Sequence, residues 1–148
     1  MNSAQAIMTG FDLSTLDTSE VAQVTFKVPV IEDMDGEPIS GFVIVGKNSP
    51  QFQTASSTVR IDNIKRASKR NKQIDSSTDE GAAAISRSVA MNEKALALAV
   101  VVDWFGFNDK GQPMPFDIAL VEKLFAKFPQ WQVKVNIALD NDANFMKV

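Results

Sequence analysis

Four places in the chain hold side chains that could do chemistry. Glu32, Asp33 and Asp35 crowd three carboxylates together, which is raw material for acid–base work or for holding a cation. Residues 41–48 read GFVIVGKN, one residue short of the G-x-x-x-x-G-K-[ST] loop whose N–H groups cradle phosphate. Asp140, Asp142 and Asn144 take the spacing of the first three ligands of a calcium loop. Arg60, Lys65, Arg66, Lys69, Arg70 and Lys72 set a run of bases against one acid, Asp62.

Most of these fail on their own chemistry. Between the two glycines stand Phe42, Val43, Ile44 and Val45, which favour a strand over a phosphate loop, and Asn48 replaces the magnesium-binding hydroxyl. In the calcium-like triplet the sixth position is Phe145 where a sharp turn needs glycine, and no glutamate follows at the twelfth. The three carboxylates near Asp33 lack ligand spacing and read as a solvated turn. No metal and no cofactor is expected. The chain has no histidine, cysteine or tyrosine, so Ser-His-Asp and Cys-His machinery and cysteine zinc sites are excluded within it. The expectation is a protein that is not an enzyme, with a carboxylate enzyme as the remote rival.

The basic run reads three ways: a solvated helix face, a docking surface for an acidic protein, or a nucleic-acid contact. Nucleic acid is disfavoured, because no aromatics interleave for base stacking and the net charge is −3. Lys65/Lys69 and Arg66/Arg70 are like-charge pairs four apart, mildly repulsive on a helix, and an acidic partner would relieve them.

The elements that must position these groups follow from patterning. A chain of 148 residues suits one domain with a real core. Residues 1–20 read as a polar lead-in with Phe11, Leu13 and Leu16 as apolar points. Residues 21–31 and 40–45 form a β-hairpin across Asp35-Gly36, with Pro29 and Pro38 at edges or ends. Asn48-Ser49-Pro50 opens a helix carried by Phe52, Ala55, Val59, Ile64 and Ala67, which dissolves over residues 71–79. A second helix starts near Thr78 or Asp79 and runs through Ile85, Val89, Leu96 and Ala99 into the apolar run of residues 95–107. Residues 106–115 are a loop turning at Lys110-Gly111. Asp117 caps a helix to Phe128, with Ile118, Val121, Leu124 and Phe125 inward. Pro129 opens a last helix carrying Trp131, Val135 and Ala138, although Val133, Val135 and Ile137 also alternate as a strand would. Phe145 is a possible anchor. The fold class is α+β: an N-terminal β-hairpin or small antiparallel sheet over residues 1–48, then a mostly helical module over residues 49–148, together one compact unit. The longest apolar stretch, residues 95–102, is far short of the roughly 18–20 residues that span a bilayer, and the first residues lack the form of a secretory signal. A soluble protein that contacts no membrane is expected.

The last third carries both tryptophans and six of the ten phenylalanines, so bulk there serves either a core or a contact surface. In order along the chain stand FDLSTLD, KVPV, GKNSPQF, ALAVVVDWFGF, DKGQPMPF, FPQW and DANF. In that order they resemble the tail assembly chaperones of long-tailed bacteriophages, with the last third the most specific part. The resemblance implies a non-enzymatic protein of the infected host's cytoplasm, which coats the tape measure protein, recruits tail tube subunits and leaves before the tail is complete. The family has no catalytic signature to carry over. Trp104, Phe105, Phe107, Phe116 and Trp131 are the candidates for apolar contacts or for the core that shapes them. Lys65, Arg66, Lys69 and Arg70 are the candidates for electrostatic docking. Homo-oligomerisation stays open. The rival reading is a virion structural protein, a small tail or connector subunit.

Overall fold

The computed structural model describes residues 24–70 and 77–146, together with Gly10 and Leu13. Phe11 and Leu16 of the lead-in, and residues 71–76 of the expected break, lie outside the described residues; Leu13 is exposed.

The hairpin forms where its turn chemistry puts it. Strands β1 (Thr25–Glu32) and β2 (Pro38–Val45) pair antiparallel. The Asp33 carboxylate accepts the N–H groups of Asp35 and Glu37, each at 2.9 Å, and Gly36 takes a φ of 81°. Pro29 sits on an edge strand and Pro38 opens β2, so neither costs a central ladder bond. The sequence GFVIV is therefore strand, as expected.

Ser49 starts the first helix. Its buried hydroxyl donates to the Gly46 carbonyl at 2.6 Å and accepts the Phe52 N–H at 3.2 Å, which caps α1 (Pro50–Arg70) with proline at its first position. Thr78 caps α2 (Asp79–Val100) by accepting from the Gly81 N–H at 3.0 Å, and Asp79 and Glu80 suit the positive end of the helix dipole. The two helices pack against each other as a hairpin.

One expectation is corrected at the end of α2. The helix does not carry on through the apolar run. It stops at Val100, and Val101–Phe105 form a third strand, β3, which pairs antiparallel with β2 to give the order β1-β2-β3. A run of three β-branched valines, 100–102, turns the chain from helix to strand with no intervening loop. Val28, Phe42 and Trp104 thereby come into register across the three strands on the buried face.

After β3 a two-rung hairpin, β4 (Asn108–Asp109) with β5 (Gln112–Pro113), turns through Lys110-Gly111, both at positive φ. Asp117 accepts the Ala119 N–H and caps α3 (Ile118–Lys127), then Pro129 opens α4 (Pro129–Asp140). Helix wins over strand in α4, because Trp131, Val135 and Leu139 at four-residue spacing are buried while Val133 and Ile137 face solvent. Within α3, Val121 and Phe125 are buried as expected, but Ile118 is exposed. A 3₁₀ turn (Asp142–Phe145) then buries the Phe145 ring against Phe26, with ring centroids 6.2 Å apart.

The result is α+β, a three-stranded antiparallel sheet with α3 and α4 over one face. Its core takes residues from both sides of position 48: Val28, Phe42 and Ile44 from the hairpin meet Val100, Val121 and Val135 from the helices.

Candidate functional site

Most aromatic side chains of the last third gather around Phe42 and Trp104. Phe42 is fully buried, with its ring 5.6 Å from that of Phe107, 5.3 Å from Phe125 and 6.2 Å from Trp131, centroid to centroid. Trp104 meets Phe107 at 5.3 Å and Phe116 at 5.5 Å, in edge-to-face geometry. Its indole N–H donates to the Met114 carbonyl at 3.0 Å, so the one polar atom of the ring is satisfied inside. Phe128 stacks on Trp131 at 4.3 Å.

Of the five proposed apolar contacts, Trp104 and Trp131 are buried, and Phe107 and Phe116 are half-buried on the core cluster. Phe105 is half-buried on the other side of β3, with the Lys27 ammonium 5.5 Å above its ring. These residues form and flank a core; they do not make an open apolar surface.

Open apolar side chains lie elsewhere: Met34 on the β1–β2 turn, Val133 and Ile137 on α4, and a group on the helical hairpin. Ile64, Ile85 and Val89, part of the expected helical patterns, are exposed, and so are Ile61 and Met91. Every described side chain of α1 from Arg60 onward is exposed. Over residues 79–92 the covered residues of α2 are small or polar, Gly81, Ala84, Ser88 and Asn92, while the larger apolar groups Ile85, Val89 and Met91 stay exposed. On α2, Ile85 and Val89 sit one turn apart as a continuous stripe.

The basic run divides around α1. Successive helical residues point roughly 100° apart, so Lys65 and Arg66 do not share a face. Arg66 falls on the side of Val59. Lys65 falls on the far side, where Arg60 and Lys65 bracket Ile61 and Ile64 within an arc of roughly 140°. Arg60, Lys65 and Arg66 are exposed and form no ion pair with a described residue. The side chains of Lys69 and Arg70, and the whole of Lys72, lie outside the described residues. The pairing of Arg60 with the two isoleucines was available from the 100° spacing.

The remaining polar groups are occupied by the fold. Asp140 pairs with Lys47 at 3.0 Å, and the Asn144 amide donates to the Ala138 carbonyl at 2.9 Å, which takes two of the three calcium-like residues into local structure. Among the described residues no group of three or more acidic, histidine or cysteine side chains is placed to hold a metal ion. A shallow pocket of about 410 Å³ beside the 3₁₀ turn is lined by Lys47, Asn48, Asp142, Phe145 and Met146, with the Lys47 ammonium already engaged by Asp140. No described helix is long and apolar enough to cross a membrane. Compared with protein-family models, curated proteins and solved structures, the chain matches none.

Proposed function

We propose that this chain is a tail assembly chaperone of a long-tailed bacteriophage: a protein that is not an enzyme, holding the tape measure protein in the infected host's cytoplasm and recruiting tail tube subunits to it. The sequence resemblance suggests the role. The observation that carries it physically is the α1–α2 hairpin, which leaves Ile85 and Val89 uncovered beside a core whose aromatics are already engaged with one another.

The physical requirement is a weak, repeated grip. A tape measure is a long, largely helical chain whose apolar face has no partner until the tube surrounds it. Laying that face along Ile85 and Val89 buries the exposed third of the first and half of the second, which is on the order of 1 kcal/mol per residue. One such contact is feeble, but many copies along one client chain hold it by avidity. Because each contact is weak, polymerising tube subunits displace the copies one at a time. Exposed bases along α1 add attraction for acidic stretches of the client and speed encounter.

The test is an inventory of purified particles against infected-cell lysate by quantitative mass spectrometry. A chaperone is abundant in the lysate and absent or trace in the particle. A fixed stoichiometry in the particle would make it a structural tail subunit instead.

A further inference from the structure

The two ends of the molecule are complementary to each other. At one end, the β1–β2 turn presents Met34, which is 103% exposed, ringed by the exposed carboxylates of Glu32, Asp35 and Glu37. The turn is preorganised. Asp33 accepts two N–H groups through its carboxylate and exchanges backbone bonds with Gly36 and Glu37, so presenting Met34 to a partner costs little ordering entropy. At the other end, the outer face of α1 presents Ile61 and Ile64, 47% and 63% exposed, between Arg60 and Lys65. One end is an apolar knob in an acidic ring. The other is an apolar step between two bases.

Within one copy the two do not meet. The turn sits at the far end of β2 from the start of α1, and neither strand of the hairpin packs against α1, whose packing neighbour is α2. None of the turn's carboxylates is ion-paired with Arg60 or Lys65. We infer that the occupant of the outer α1 face is the β1–β2 turn of a second copy of this chain, with Met34 seated on Ile61 and Ile64 and the acidic ring against Arg60 and Lys65. Methionine suits such a seat, because its unbranched side chain adapts to an irregular surface. The two surfaces differ, so each copy offers one of each, and the contact either closes reciprocally in a pair or propagates head-to-tail into short chains. It lies on the side of α1 away from Val59, apart from the Ile85–Val89 stripe of α2, and shares with the chaperone reading only the exposed bases of α1.

Sedimentation velocity over a concentration series tests this. At low ionic strength the weight-average mass rises above the 16.2 kDa monomer with concentration. In about 1 M salt, where the screening length falls to about 3 Å, it returns to monomer. Two charge reversals, E32K/D35K/E37K at the turn and R60E/K65E on α1, each abolish association while the circular dichroism spectrum stays that of the wild type. A mixture of the two variants associates again, because each then carries the complement of the other. Reversing Lys123 and Lys134, exposed bases on the helices over the sheet, leaves the wild-type association in place, which separates the contact from net charge. A wild-type chain that stays monomeric at low salt overturns the inference. So does association that survives either reversal, or a mixture that stays monomeric.

Discussion

Phe42→Ala destabilises the fold by about 3–5 kcal/mol, the cost of emptying a fully packed aromatic site. The ring is the point where the sheet meets both covering helices: it touches Phe125 on α3, Trp131 on α4 and Phe107 after β3. Its strand neighbours on the buried face are Val28 and Trp104, in register on either side. With no neighbour free to collapse into the gap, the cavity persists. Against a typical total stability of about 5–15 kcal/mol, the variant loses roughly 10–20 °C in melting temperature. Ile61→Ala on the exposed hairpin changes stability by under about 0.5 kcal/mol. Urea and thermal unfolding followed by circular dichroism read both. Equal losses in the two variants would mean that the aromatic cluster does not hold the sheet to its helices.

Gly41→Ala is the second large effect, and here addition, not removal, does the damage. A β-carbon at this position meets the carbonyl oxygen of Val28, the Phe105 ring edge at 2.8 Å and the Pro29 α-carbon at 2.8 Å. Two of those three are backbone atoms of the paired strand, which cannot rotate aside. Gly41 stands opposite Pro29, where the β1–β2 register shifts, so relief requires β1 to lift from β2. The expected cost is about 2–3 kcal/mol, seen as a lower urea midpoint with an unchanged slope. A neutral Gly41→Ala would place the strands farther apart than they are here.

Gly41 also shows where sequence reading reaches and where it stops. It and Gly46 imitate a phosphate loop, yet each is glycine because another part of the chain lies against it: β1 and Phe105 at Gly41, the Phe145 ring at Gly46. The residues between them were legible as strand, because β-branched preference is local. The reason for the glycines was not legible, because Phe145 lies about a hundred positions away. Local signals served well at turns and helix starts. Asp35-Gly36 made its turn, and Ser49, Thr78 and Asp117 capped the helices that begin beside them.

The misses have two causes. Apolar periodicity says that a residue could face a partner, but not that one exists. Ile64, Ile85, Val89 and Ile118 satisfied the helical pattern and remain exposed. Strand β3 was hidden because α2 passes into it without a turn residue to punctuate the change. The same gap governs the site. The aromatic cluster was legible as bulk, but its division between core and surface depended on which rings Phe42 would gather.

The central claim is that the α1–α2 hairpin, through Ile85 and Val89, holds the apolar face of a long helical tail protein. Co-expression of the chain with its phage's tape measure protein, followed by measurement of the soluble, co-eluting fraction, tests this directly. The wild-type chain keeps the tape measure protein soluble and elutes with it. The folded variant I85D/V89D, altered only at exposed positions, loses most of that fraction. A tape measure protein that stays insoluble beside the wild-type chain, or one held equally well by the variant, would contradict the account.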